Sequence, residues 1–238
     1  MMAKFAILCN PGGRDHNDDT VRIERTLLRT CAYVGDGLGA YAGGQLASRA
    51  AARVVMDQFR ASSLLEDHQL LQTAAMANDA VLQLQQEKKG SMKTTLVLLT
   101  IERGNARWMH IGDSRLYHFK NGKLQSQTID HSVSQVAALM GDIQQKDIRF
   151  HEDRNKVLRA LGSESAKPEL SKSLPVKHNQ DVFLLCTDGF WEYVYEEEME
   201  QLLQQTRHPK KWLEEMEKLL FRRVNGENDN YTAAAVFC

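Results

Sequence analysis

The chain has 238 residues, a formal net charge of -1 and a pI near 6.7, which gives no electrostatic reason to expect nucleic acid or an anionic membrane as the main partner. No apolar run approaches the roughly 20 residues that span a bilayer. The start, Met1-Met2-Ala3-Lys4-Phe5, has no basic segment, apolar core and small-residue cleavage site in succession, so a cytoplasmic protein is expected.

In chain order, Ala3 to Cys9 reads as a short strand ended by the turn Asn10-Pro11-Gly12-Gly13. A polar run follows, Arg14-Asp15-His16-Asn17-Asp18-Asp19. Ala32-Tyr33-Val34 then leads into Gly35-Asp36-Gly37. Past the loop to Gly44, residues 45–59 carry Leu46, Ala50, Val54 and Met56 at helical spacing. A second helix is expected over 68–89, closed by Gly90. Residues 94–102 and 106–119 read as strands joined by Arg103-Gly104-Asn105, and Asn121-Gly122 marks another tight turn. From about His131 to Ser173 the pattern weakens into a surface excursion able to cover a site. Val182 to Cys186 resumes the sheet, helices fit 196–206 and 209–223, and Tyr231 to Phe237 closes as a strand. No repeat or linker interrupts residues 1–238, so one domain is expected, with strands clustered in hairpins.

The four cysteines show no close pairing of the kind that builds zinc sites, and Cys31 and Cys186 sit in apolar runs as small buried hydrophobes. The aspartates carry the chemistry. Asp36 and Asp188 each follow a buried strand and precede glycine; Asp113 follows Trp108 to Gly112, and Asp229 stands just ahead of the last strand. One Asp-Gly is ordinarily a turn. Four such carboxylates converging at one sheet edge would repel one another without a cation, and hard divalent ions prefer oxygen ligands. Asp18 and Asp19 join this set through Arg14, an arginine placed to hold a phosphate bidentately. Arg115 is a rival for that role but reads as a structural ion-pair arginine. A second reading starts from Gly35-Asp36-Gly37-Leu38-Gly39-Ala40, which matches a dinucleotide-binding turn with Asp57 about 20 residues on. Asp57 lies inside a helical pattern, however, and that reading leaves the other aspartates unexplained. His16 and His131 are candidates for proton transfer.

These pieces, in this order, resemble the metal-dependent protein serine/threonine phosphatases of the type 2C, or PPM, family. The resemblance runs through Arg14 with Asn17-Asp18-Asp19, Gly35 to Gly39 with Ala42-Gly43-Gly44 and Ala47-Ser48, Lys93-Thr94-Thr95, and Gly112-Asp113-Ser114-Arg115-Leu116-Tyr117. It continues through Asp130-His131-Ser132 at the start of a flap segment (about 131–173), Arg159-Ala160-Leu161-Gly162 as the strand after it, Thr187-Asp188-Gly189 and Asp229-Asn230. It implies an α+β fold, a central antiparallel β-sandwich flanked by helices in four α-β-β-α layers, with manganese or magnesium at one end. Asp36 would bridge two metals; Asp188 and Asp229 would hold the first, Asp18 and the Gly37 carbonyl the second. Asp19 would orient metal-bound water and Arg14 bind the substrate phosphate. Bacterial members often bind a third metal, for which Asp113 and Asp188 would be the ligands. The implied reaction is hydrolysis of phosphoserine and phosphothreonine in proteins by a bridging metal-bound hydroxide. Two departures stand out: Asp18 where glutamate is common, and Leu38 where animal and plant members carry a histidine, which marks a bacterial type. A monomer opposing a Hanks-type kinase is expected. The alternative is a non-catalytic domain that keeps the fold and binds partners.

Overall fold

The computed structural model describes residues 3–39 and 43–238. Met1 and Met2, and Ala40 and Ala42 of the glycine loop, lie outside the described residues. Strands β1 (Lys4–Asn10), β2 (Thr20–Arg25), β3 (Arg29–Gly35) and β4 (Gly37–Gly39) precede two long helices, α1 (Gly43–Ala61) and α2 (Asp67–Lys88). Next come β5 (Met92–Thr94), β6 (Leu96–Glu102), β7 (Asn105–Ile111), β8 (Arg115–Lys120) and β9 (Lys123–Gln127). The flap holds α3 (Val133–Met140), a 3-10 turn over Gln145–Phe150 and β10 (Glu169–Leu170). β11 (Leu174–Pro175), β12 (Asp181–Cys186), α4 (Asp188–Trp191), α5 (Glu196–Gln205), α6 (Pro209–Phe221) and β13 (Tyr231–Phe237) complete the order.

Side-chain alternation along the strands builds the layers. One antiparallel sheet runs β1-β13-β12-β8-β9; the other runs β10-β7-β6-β3-β2, with β11 also paired to β7. In β12, Phe183 and Leu185 face the opposite sheet while Val182, Leu184 and Cys186 face helices α5 and α6. In β3, Ala32 and Val34 face the inter-sheet core while Cys31 and Tyr33 pack under α1 and α2. The same split holds for Val97 and Leu99 against Leu96 and Leu98 of β6. Three apolar cores therefore separate four layers, helices outside and sheets within, as the family resemblance implies. Both hairpin turns foreseen from glycine dipeptides form, with positive φ at Arg103 (51°) and Asn121 (51°).

Several local expectations are corrected. The strand read over 106–119 is two strands, broken at Gly112-Asp113-Ser114, and the break is what exposes Asp113 at a strand end. Residues 159–162 form an isolated bridge between Leu161 and Thr94 rather than a strand. Helix α2 ends on Lys89 in the left-handed conformation (φ 50°), one residue before Gly90. The stripe Leu46, Ala50 and Val54 lies on the outer side of α1; the buried face is Ala47, Ala51, Ala52, Val55, Met56 and Phe59. Both stripes have i, i+4 spacing, and the small residues face inward because α1 packs closely on α2 and the sheet. Strand β2 was not foreseen, since only Val21 and Ile23 alternate with Arg22 and Glu24.

Candidate metal centre

Asp36 lies between β3 and β4, Asp113 in the turn from β7 to β8, Asp188 at the start of α4 after β12, and Asp229 two residues ahead of β13. These strands belong to both sheets, so the carboxylates meet at the end of the sandwich rather than at one sheet edge. There, with Asp18, they line a cleft of about 750 Å³. Arg14, Gly37, Leu38 and Asn155 of the flap line it too.

Hydroxyl and amide side chains hold the aspartate turns in place. The Thr95 N–H donates to the Asp36 carbonyl (2.9 Å), and the Thr95 hydroxyl accepts from the Asp36 N–H (2.8 Å) and lies 2.7 Å from the Ser114 hydroxyl. Thr95 thus ties the turn after β3 to the turn after β7. Asn230 gathers the N-terminal loop: its Oδ1 accepts from the Asp18 N–H, and its Nδ2 donates to the carbonyls of Pro11 and His16, each at 2.8 Å. Thr187 donates its hydroxyl to Asp19 Oδ2 (2.9 Å) and accepts from the Thr232 N–H (3.0 Å). Backbone crowding explains two glycines. A Cβ on Gly37 would sit 2.1 Å from the Gly44 carbonyl oxygen, and one on Gly189 would sit 2.1 Å from that of Asn230. The glycine behind Asp188 therefore serves close approach of α4 to the start of β13, not a turn alone.

The electrostatics fit a cation. Burial, then Asp188, Asp19, Asp113 and Asp229, push the Asp36 carboxyl well above its usual range. Burial and then Asp113 do the same to Asp188. Asp19 is pushed to about 7 by burial, against hydrogen bonds from Thr232 and Thr187. Asp113 reaches about 7 through burial and then Asp130. Asp19 Oδ1 and Asp113 Oδ1 are buried without a hydrogen-bond partner among the described residues. Carboxylates with spare oxygens and an adjoining backbone carbonyl at Gly37, beside His16 on the cleft lining, make an oxygen-rich donor set suited to magnesium or manganese.

The other expected residues divide. Arg14 reaches the cleft and donates through Nε and an Nη to both oxygens of Asp229 at 3.2 Å. His16 lines the cleft, but His131 does not. Arg115 is the expected structural arginine, buried and bidentate to Asp130 at 2.9 and 2.8 Å, with its guanidinium 3.5 Å from the Trp191 ring centroid. Asp57 pairs with Arg60 on α1, away from the glycine loop, so the dinucleotide reading loses its acid. Thr95, Thr187 and Asn230 fall within the family motifs, and the structure adds their part in holding the aspartate turns. The signal for each is a hydrogen-bonding side chain at or beside the end of a buried strand.

A sequence profile described as Protein phosphatase 2C matches residues 13–230. The serine/threonine phosphatase stp of Listeria monocytogenes is 30% identical over 233 residues, covering 94% of this chain and 90% of that protein. A serine/threonine phosphatase of Staphylococcus aureus superposes with a TM-score of 0.89 at 24% identity, over 100% of this chain and 96% of that one. The catalytic domain of the serine/threonine phosphatase PstP, solved in complex with two manganese ions, superposes at 0.85 with 23% identity, over 99% and 98% of the two chains. At these identities the superpositions speak for the fold.

Proposed function

The chain belongs to the protein phosphatase 2C family, and from that premise we propose that it is a metal-dependent enzyme that hydrolyses phosphoserine and phosphothreonine in proteins. The observation that carries this reading is the convergence of six aspartates on one cleft, two of the site's buried carboxylates keeping an unpartnered oxygen. A domain that only bound partners would have no use for so many ionisable groups held at each other's expense.

In this reading Asp36, Asp188, Asp229, Asp18 and the Gly37 carbonyl would hold two manganese or magnesium ions, and Asp113 with Asp188 would hold a third. When bound, such ions supply an activated water and neutralise charge developing on the phosphoryl group. Asp19, fixed by Thr187, accepts a hydrogen bond from the water that attacks and orients it. Arg14 turns from Asp229 to the substrate phosphate, whose oxygens accept the same paired N–H groups. Leu38 leaves the cleft wall without a proton donor at its position, so solvent protonates the departing serine or threonine oxygen. Asn155 and Val157 place the flap beside the phosphorylated residue, where the neighbouring peptide is read.

Residues 1–238 act as one catalytic domain, a cytoplasmic monomer that opposes a Hanks-type kinase. No described helix is long and apolar enough to cross a membrane. The test is hydrolysis of an aryl phosphate and of a phosphothreonine peptide with added manganese. Turnover abolished by chelator and by Asp188→Asn is the expected result. Bound manganese without turnover would favour the non-catalytic domain.

A further inference from the structure

Two histidines and a glutamate cluster just behind the cleft wall, outside the residues assigned above. His131, eighteen residues after Asp113 in sequence order, encloses the peptide of Gly112 from both sides. Its backbone N–H donates to the Gly112 carbonyl (2.9 Å), and its Nδ1 lies 3.1 Å from the Gly112 N–H. Since that N–H can only donate, Nδ1 is the acceptor and the neutral ring carries its hydrogen on Nε2. Nε2 in turn lies 3.0 Å from Glu169 Oε1 on β10, which takes that hydrogen and holds the ring's tautomer. The bond also holds the Glu169 carboxyl below the usual carboxylate range. His110 stacks on the same ring, centroids 4.9 Å apart and planes 5° from parallel, and is itself anchored by Nε2 at 2.8 Å from the Ile129 carbonyl. Beyond Gly112, the Asp113 carbonyl accepts from the indole N–H of Trp191 (2.9 Å).

We propose that His131, oriented by Glu169 and stacked on His110, is a positioning residue that fixes the Gly112–Asp113 turn and so aims the Asp113 carboxylate into the metal cleft. This rests on the phosphatase reading above and on Asp113 as a ligand within it. Asp113 has no side-chain partner for its Oδ1, so its aim depends on the backbone that carries it. That backbone is held at the Gly112 N–H, the Gly112 carbonyl and the Asp113 carbonyl, and His131 supplies two of these three bonds.

A different use of the cluster would be a zinc site, since His110, His131 and Glu169 offer ligand atoms within 4.8 Å of one another. The tautomer argues against it. A metal on His131 Nε2 would leave the ring without either hydrogen while Nδ1 still faces the Gly112 N–H.

The experiment compares the full chain with Asp113→Asn, His110→Ala, His131→Ala, His131→Asn and Glu169→Ala. Manganese binding is read by calorimetry, activation of aryl phosphate hydrolysis by manganese titration, and the His131 tautomer by nitrogen–proton NMR. Failure of the wild-type protein both to bind manganese and to turn over sinks the phosphatase reading itself. With that reading intact, His131→Ala is expected to weaken the manganese step that Asp113→Asn removes by about tenfold, the lower range for an outer partner of a metal ligand. His131→Asn, whose Oδ1 can replace Nδ1 as acceptor, should restore most of it, and Glu169→Ala, an exposed and foldable change, should show a smaller loss. Manganese affinity in His131→Ala or Glu169→Ala equal to wild type would overturn the proposal. So would an Nδ1–H tautomer in the wild-type protein, or tight zinc binding lost in both His110→Ala and His131→Ala.

Discussion

At the scale of single residues, the site is a set of acids held together against their own repulsion. The Asp19 and Asp113 carboxyls titrate at about 7 in the fold and at 3.8 when unconstrained, and Asp36 and Asp188 are raised as well. A raised folded pKa means that the folded chain binds protons more tightly than the unfolded one. The stability these groups contribute is therefore complete below about pH 4 and is lost as the pH rises through about 7. Metal-free protein should melt at progressively lower temperature between about pH 5 and pH 8, and Asp113→Asn should flatten the decline; calorimetry across that range reads both. Asn230 makes a second prediction. Its three hydrogen bonds pin the loop from Pro11 to Asp18, so Asn230→Ala should destabilise the protein by about 1–3 kcal/mol in denaturant melts and weaken manganese binding through Asp18. The aspartates were legible in the sequence because a charge at the end of a buried strand has no folding purpose. Asn230 and Thr95 were not, because their work is to bond partners more than 200 and about 60 positions distant, and no spacing along a chain announces such a contact.

At the scale of elements, the hairpins and the final strand were readable because turn dipeptides and alternation are local signals. Helix α1 shows where local signals stop. Leu46-Ala50-Val54 and Ala47-Ala51-Val55 have the same period, and only the approach of α2 and the sheet decides that the second stripe is inside. The α4–β13 contact has the same character. Gly189 reads as a turn residue until the Asn230 carbonyl is seen 2.1 Å from where a Cβ would be. Gly189→Ala should force these backbones apart, lower stability by about 1–3 kcal/mol as overpacked sites do, and separate Asp188 from Asp229. A denaturant melt and a manganese titration on the same variant would detect the two effects. Exchanging residues 131–173 between relatives should move peptide preference while leaving aryl phosphate hydrolysis in place; unchanged preference would assign selectivity elsewhere.

At the scale of the molecule, the four layers and a metal cleft at one end follow from the family resemblance, while the residues alone point only to a single sheet edge, since strand-end charges do not tell which sheet each strand joins. Because the cleft's carboxylates come from both sheets, a cation bound there would fasten the sandwich as a whole. Manganese at about a hundred times its dissociation constant should add roughly 2.7 kcal/mol to unfolding, seen as a raised melting temperature that chelator reverses. Strand β13 has a further consequence. It lies between β1 and β12 in its sheet, paired with both, and the two residues just ahead of it are Asp229 and the Asn230 that gathers the loop around Asp18. On the ribosome, where synthesis runs at about 5–20 residues per second, the earlier strands emerge well before this one. Until it arrives β1 has no neighbour to pair with in its sheet, Asp18 is unanchored and Asp229 is absent. The carboxylates of the cleft are therefore gathered only when this strand slots in between β1 and β12.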